Sequence, residues 1–142
     1  MTRSEPFDFT GRCLCGSVGF SGRFHPTDAL TACHCGQCRI WSGHYWASIS
    51  AVGLVVEREG DLKWYRSSEA AMRGFCGTCG SSLFWREDHE PEGRIAVSAA
   101  VVEVAAGALD RTAPLKLARH IFVADKGDYY DITDGLPQFP QG

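Results

Sequence analysis

A chain of 142 residues with a formal net charge of −3 and a pI near 5.9 lacks the basic surplus that a nucleic-acid partner imposes on a sequence. Its longest apolar stretch, residues 95–109, is broken by Ser98 and Glu103 and falls short of the ~20 residues a membrane span needs. Residues 1–11 have no apolar segment of the kind found in secretory signals, so the expectation is a cytoplasmic protein with no membrane partner, folded as one domain over residues 1–142.

In chain order, short runs of β-branched and aromatic residues at 18–24, 45–50, 54–58, 62–66, 82–85, 95–98 and 120–124 alternate with glycine-bearing breaks. This rhythm predicts an all-β fold. Residues 101–108 are alanine-rich and could form a minor helix. The end, residues 136–142, carries Pro137 and Pro140, which argue against helix or central strand there and for a course across the surface.

Seven cysteines fall in three groups: Cys13 and Cys15; Cys33, Cys35 and Cys38; Cys76 and Cys79. An odd count at motif spacing reads as metal ligation rather than a disulfide framework. A closed zinc site takes four thiolates, so seven make one closed site and one three-thiolate site with an open position. Glycines beside the cysteines suit the turns that bring backbone N–H groups toward sulfur. Spacing leaves the partition open. Cys35, Cys38, Cys76 and Cys79 would make a zinc ribbon, whereas Cys13, Cys15, Cys76 and Cys79 would leave Cys33, Cys35 and Cys38 as a local three-ligand site. Local geometry favours the second arrangement, because in an extended segment Cys33 and Cys35 share a face and His34 points away from it.

The segments Gly11-Arg-Cys-Leu-Cys-Gly-Ser-Val18, Cys33-His-Cys-Gly-Gln-Cys-Arg39 and Arg73-Gly-Phe-Cys-Gly-Thr-Cys-Gly-Ser-Ser-Leu83 resemble the glutathione-dependent formaldehyde-activating enzyme family of small zinc proteins. His120-Ile-Phe-Val123, Lys126 and Asp134-Gly-Leu-Pro137 extend the resemblance toward the C-terminus. It implies a structural zinc at Cys13, Cys15, Cys76 and Cys79 and a catalytic zinc at Cys33, Cys35 and Cys38. It also implies a fold of coiled antiparallel sheets, similar to that of small-GTPase exchange accessory factors and of one class of methionine sulfoxide reductases. One departure is Tyr129 and Tyr130, where the family often has tryptophan.

Zinc held by three thiolates carries a formal charge of −1 and is a poor activator of water, yet a fourth thiol can bind as thiolate. Together with the resemblance, this implies a carbon–sulfur lyase-like enzyme that forms or cleaves the adduct of glutathione with formaldehyde or a related small electrophile, as an S-hydroxymethylglutathione synthase does. Arg39 is the expected partner of a glutathione carboxylate and His44 the candidate proton shuttle. His34 and His120 read as structural. Trp41, Tyr45 and Trp46 suit either a pocket wall or the core, with two of the three expected in the core. Two other functions fit the cysteines: a non-catalytic zinc module for a protein partner, with His34 or His44 closing the triplet, and a thiol redox switch at the triplet.

Overall fold

The computed structural model describes residues 6–25, 30–103 and 115–142. It is a mostly antiparallel β structure with ten strands among the described residues: β1 (Phe7–Arg12), β2 (Gly19–Phe24), β3 (Leu30–Cys33), β4 (Trp46–Arg58), β5 (Leu62–Arg66), β6 (Ala71–Cys76), β7 (Ser82–Glu87), β8 (Ile95–Ser98), β9 (Val102–Glu103) and β10 (Leu117–Ile121). One short helix, α1 (Gly36–Ser42), lies between β3 and β4. No helix among the described residues is long and apolar enough to cross a membrane.

The 13-residue β4 organises the sheet. Its first half pairs with β3 and β8, its second half with β2. The order β5-β6-β7-β8-β4-β2-β1-β9 follows, with β10 added parallel to β3. The sequence suggests two separate runs here, at 45–50 and 54–58; the structure joins them. Gly53 adopts a left-handed φ of 62° where the β2–β4 register slips between Ser21 and Arg23, so the break is a bulge that bends one strand.

Phe9, Phe20, Phe24, Ile49, Leu83, Phe84 and Val97 form the core, and Phe20 meets Phe84 edge-to-face at 4.8 Å between centroids. Each of these large side chains stabilises the fold by roughly 1.5–3 kcal/mol on burial. Strand β6 is the least obvious from sequence, since it contains Arg73 and Gly74. Its place is set by packing: a Cβ on Gly74 would lie 3.0 Å from atoms of Phe84 and Trp64, so any side chain there would press on both rings.

The expected helix at 101–108 is not borne out where it is described: Ala99–Val101 is a 3₁₀ turn and Val102–Glu103 pairs with β1, while residues 104–108 lie outside the described residues. The run at 120–124 is shifted. β10 ends at Ile121 because Phe122 turns left-handed at φ 56°. The proline-bearing end runs alongside β10, where the His120 N–H donates to Pro137 O at 2.9 Å and the Phe139 N–H donates to His120 O at 2.9 Å.

Candidate functional site

The seven cysteines gather into two groups, Cys13, Cys15, Cys76 and Cys79 in one and Cys33, Cys35 and Cys38 in the other, with the sulfurs of each group within 4.8 Å of one another. The ribbon partition is therefore not formed.

In the four-cysteine group, the turn after β1 meets the turn between β6 and β7. Gly16 and Gly80, each directly after a ligand pair, take φ values of 80° and 81°, a conformation that side chains resist. Backbone N–H groups then reach sulfur: Val18 donates to Cys13 Sγ at 3.3 Å and Cys79 donates to Cys76 Sγ at 3.4 Å. The Cys13–Cys15 and Cys15–Cys76 sulfurs are 3.6 Å and 3.9 Å apart. Tetrahedral zinc with 2.3 Å Zn–S bonds places sulfurs about 3.8 Å apart, so the donor set fits that ion. The hydroxyl of Ser81 beside Cys79 is the main reason its thiol is pulled down to about 5, which readies it as a ligand.

The triplet is built locally. Cys33 ends β3, Cys35 caps α1, and Cys38 sits in the helix's first turn with its N–H donating to Cys35 Sγ at 3.4 Å. The sequence suggests a loop knuckle here; the cap makes it a helical turn, closed by Gly43 at φ 88°. The extended segment holds Cys33 and Cys35 half-exposed while His34 is fully buried on the opposite face. The three thiols are electrostatically unequal. Contacts with Cys33 and then Cys38 pull Cys35 down to about 2, and the same Cys35 contact drives Cys33 upward. One negative charge is thus readily held among the three sulfurs, and a divalent cation would draw in the rest.

Beside the triplet lies a cavity of about 630 Å³, walled in part by Trp46, Trp85, Ile121 and Phe122. Arg73 also lines it and is only 5% exposed. Its terminal nitrogens stand 3.6 Å and 3.7 Å from Cys38 Sγ, one of them 3.5 Å from Gln37 Oε1, and the guanidinium lies over the Trp41 ring at 5.0 Å. A buried cation at a cluster of thiolates offsets their charge where water cannot.

Behind the triplet runs a hydrogen-bonded chain. His34 Nδ1 is 2.7 Å from Tyr130 Oη, His34 Nε2 is 2.8 Å from His120 Nδ1, and His120 Nε2 is 2.8 Å from Asp134 Oδ2. Burial, then the neighbouring His120, pushes the His34 imidazole down to about 4. For neutral rings one set of tautomers serves every contact: Tyr130 donates to His34, His34 to His120, and His120 to Asp134. Both ring nitrogens of His34 are therefore engaged, and neither is available to close the triplet.

Arg39 and His44 fall outside the cavity. Arg39 is half-buried, with Nε donating to His34 O at 3.2 Å. His44 is exposed and its ring lies 4.4 Å from Tyr45 and 4.5 Å from Tyr130. Of the three aromatics, Trp46 alone is buried, while Trp41 and Tyr45 are half-buried. The expectation of two in the core therefore gives way to one. Residue spacing does not point to Arg73 or Tyr130, which lie 35 and 96 positions from their partners Cys38 and His34, nor to Asp134, which reaches the site only through His120, 14 positions before it. The one sequence signal for Arg73 was its place at the head of the segment that ends in Cys76 and Cys79.

Residues 8–125 match the family described as glutathione-dependent formaldehyde-activating enzyme. The chain belongs to that family. It is also similar to an uncharacterized lyase of Schizosaccharomyces pombe, at 34% identity over 80 residues, 55% of this chain and 57% of that protein. The chain thus spans a little over half the length of that relative. The crystal structure of a Rhodobacter sphaeroides protein is also similar, with a TM-score of 0.56, 25% identity and coverage of 72% of this chain and 93% of that one.

Proposed function

We propose that this family member is a zinc-dependent carbon–sulfur lyase-like enzyme that forms or cleaves the adduct of glutathione with formaldehyde or a related small electrophile. The observation that carries this reading is the triplet itself: three sulfurs that can share a metal, open to a cavity and backed by a buried arginine. A site for structure alone has no use for the cavity. Cys33, Cys35 and Cys38 would hold the catalytic ion, and Cys13, Cys15, Cys76 and Cys79 a structural one. When bound at the triplet, zinc supplies a position at which an added thiol is kept as thiolate.

The rest follows from the chain's own residues. The cavity walls exclude water from the reacting sulfur, which raises its effective nucleophilicity and holds it near the carbonyl carbon. The sulfur lone pair forms the C–S bond, the carbonyl π pair moves to oxygen, and that oxygen takes the proton the thiol has lost; cleavage is the reverse. Arg73 makes the accumulated negative charge tolerable in a dry site. Arg39 would meet a carboxylate of the tripeptide outside the cavity, and His44, exposed beside Tyr130, would exchange the proton with solvent.

The test combines zinc content, glutathione binding and NMR exchange between glutathione, formaldehyde and their adduct, for the parent and Cys35→Ser. The variant is expected to stay folded, keep about one zinc per chain, and lose both glutathione affinity and exchange. Exchange no faster than in buffer for the parent removes formaldehyde as the electrophile, and a Cys35→Ser variant with unchanged glutathione binding sinks the reading.

A further inference from the structure

The cavity beside the triplet is far larger than formaldehyde requires. It measures about 630 Å³, whereas a molecule of two heavy atoms needs about two water shares of ~30 Å³ each. Nor do its walls suit the ends of glutathione, which carry two carboxylates and an ammonium. The charged residues of the lining are Arg73 and Asp125, and the Arg73 terminal nitrogens are already directed at Cys38 Sγ and Gln37. A carboxylate laid against Trp46, Trp85, Ile121 and Phe122 would lose its hydration without gaining a partner, at a cost of several kcal/mol. An apolar ring meets the opposite balance, because those walls offer aromatic and aliphatic surface on several sides.

We propose that this cavity receives an aromatic substituent on the electrophile, so that the enzyme's preferred substrates are aryl aldehydes and their thiol adducts rather than formaldehyde. This rests on the lyase reading and narrows its substrate class. The step is balanced without any oxidant or reductant: the thiol R–SH adds to Ar–CHO, the C–S bond forms, the carbonyl becomes C–OH with the thiol's proton, and the product is the hemithioacetal. The charged ends of the thiol stay outside, and the ring enters between Trp46 and Trp85.

Isothermal titration of the zinc-containing protein with S-benzylglutathione and S-methylglutathione isolates the substituent, since the two thioethers share every charged group. The benzyl form is expected to bind at least tenfold more tightly. Ala96 lies on the cavity wall in β8, and Ala96→Phe, a substitution that strands accommodate, should fill the space and bring the S-benzylglutathione affinity down to that of S-methylglutathione. Trp85→Ala should also reduce the preference, by removing one wall. Equal affinities in the parent, or a preference that survives both variants, would overturn the proposal. NMR exchange with benzaldehyde and formaldehyde separates it from the lyase reading. Accelerated formaldehyde exchange without a benzyl preference removes the aryl assignment alone. A benzyl preference with no accelerated exchange of either aldehyde removes the lyase reading and leaves the cavity assigned to an aryl group.

Discussion

The two cysteine groups use the same ligand type and differ in nearly everything around it. The four-cysteine group joins segments 61 positions apart, is surrounded by its own turns, and contacts small hydroxyl residues, Ser17 and Ser81. The triplet lies within six consecutive residues, opens on a cavity, and is held from outside by Arg73, Arg39 and the His34 chain. A metal that closes a long loop contributes to folding itself. One held in a local loop contributes little to chain closure, so its supports serve the geometry and charge of the site.

The strongest way to break this contrast is to remove one ligand from each group. Cys76→Ser disrupts a fully buried ligand that ties β6 to the turn after β1. Structural zinc sites are worth about 10–16 kcal/mol in small domains, so even partial loss should lower the unfolding midpoint by roughly 10 °C or more, or prevent recovery of folded protein. Cys35→Ser should shift it far less. Thermal unfolding of both variants, with zinc counted per chain, decides the matter. If Cys76→Ser remains as stable as the parent while Cys35→Ser unfolds, the roles of the two groups are reversed.

A smaller effect is expected from Arg73→Met, which keeps the bulk over Trp41 and removes the charge. Three thiolates and Zn²⁺ leave a net −1, to which a buried guanidinium is attracted. Charge-assisted contacts of this kind contribute about 1.5–3 kcal/mol, so a chelator should withdraw one zinc equivalent roughly 10- to 100-fold more readily from the variant. Exchange of a buried ion pair for apolar contact is often neutral for folding, and the unfolding midpoint should change little. Identical chelator competition in the two proteins would reduce Arg73 to a packing residue.

What sequence could show follows the same division. Cys13 and Cys15, Cys35 and Cys38, and Cys76 and Cys79 are legible because short, recurrent cysteine spacing marks a candidate metal site, and the structure gathers them as such sites would require. The burial of His34 follows from the two-residue period of an extended segment. The β class is legible from runs such as Leu62–Arg66 and Ile95–Ser98, whose bounds the structure keeps. Strand β6 is not, since Arg73 and Gly74 oppose strand propensity and are explained only by Cys38 and by the rings of Trp64 and Phe84. Helix α1 is hidden for a related reason: its cap is a cysteine sulfur, which ordinary capping preferences do not include. Arg73, Tyr130 and Asp134 enter the site through tertiary pairing across β3, β6 and β10, and no local pattern encodes that distance.

The finest contrast concerns how each group is steadied. The triplet segment leans on Asp134 through His120 and His34, whereas the four-cysteine group is contacted by Ser17 and Ser81. The Leu136 N–H, then His120, holds the Asp134 carboxyl below the usual carboxylate range. A depressed folded value means that its stabilising contribution is fully present above the ordinary aspartate pKa of ~3.9 and is lost as pH falls through the lower folded value. Asp134→Asn should therefore cost a little stability at neutral pH, far less than Cys76→Ser does, and the difference from the parent should shrink once the pH drops below about 4. Its effect should also be local. The His34 amide, which donates to Ile121 O at 3.0 Å, should exchange its hydrogen faster in the variant, and the Val18 and Cys79 amides that donate to the four-cysteine group should not. Equal acceleration at both groups would mean that the C-terminal segment steadies the whole sheet, and the two cysteine groups would then differ in their composition and cavity but not in their tethering.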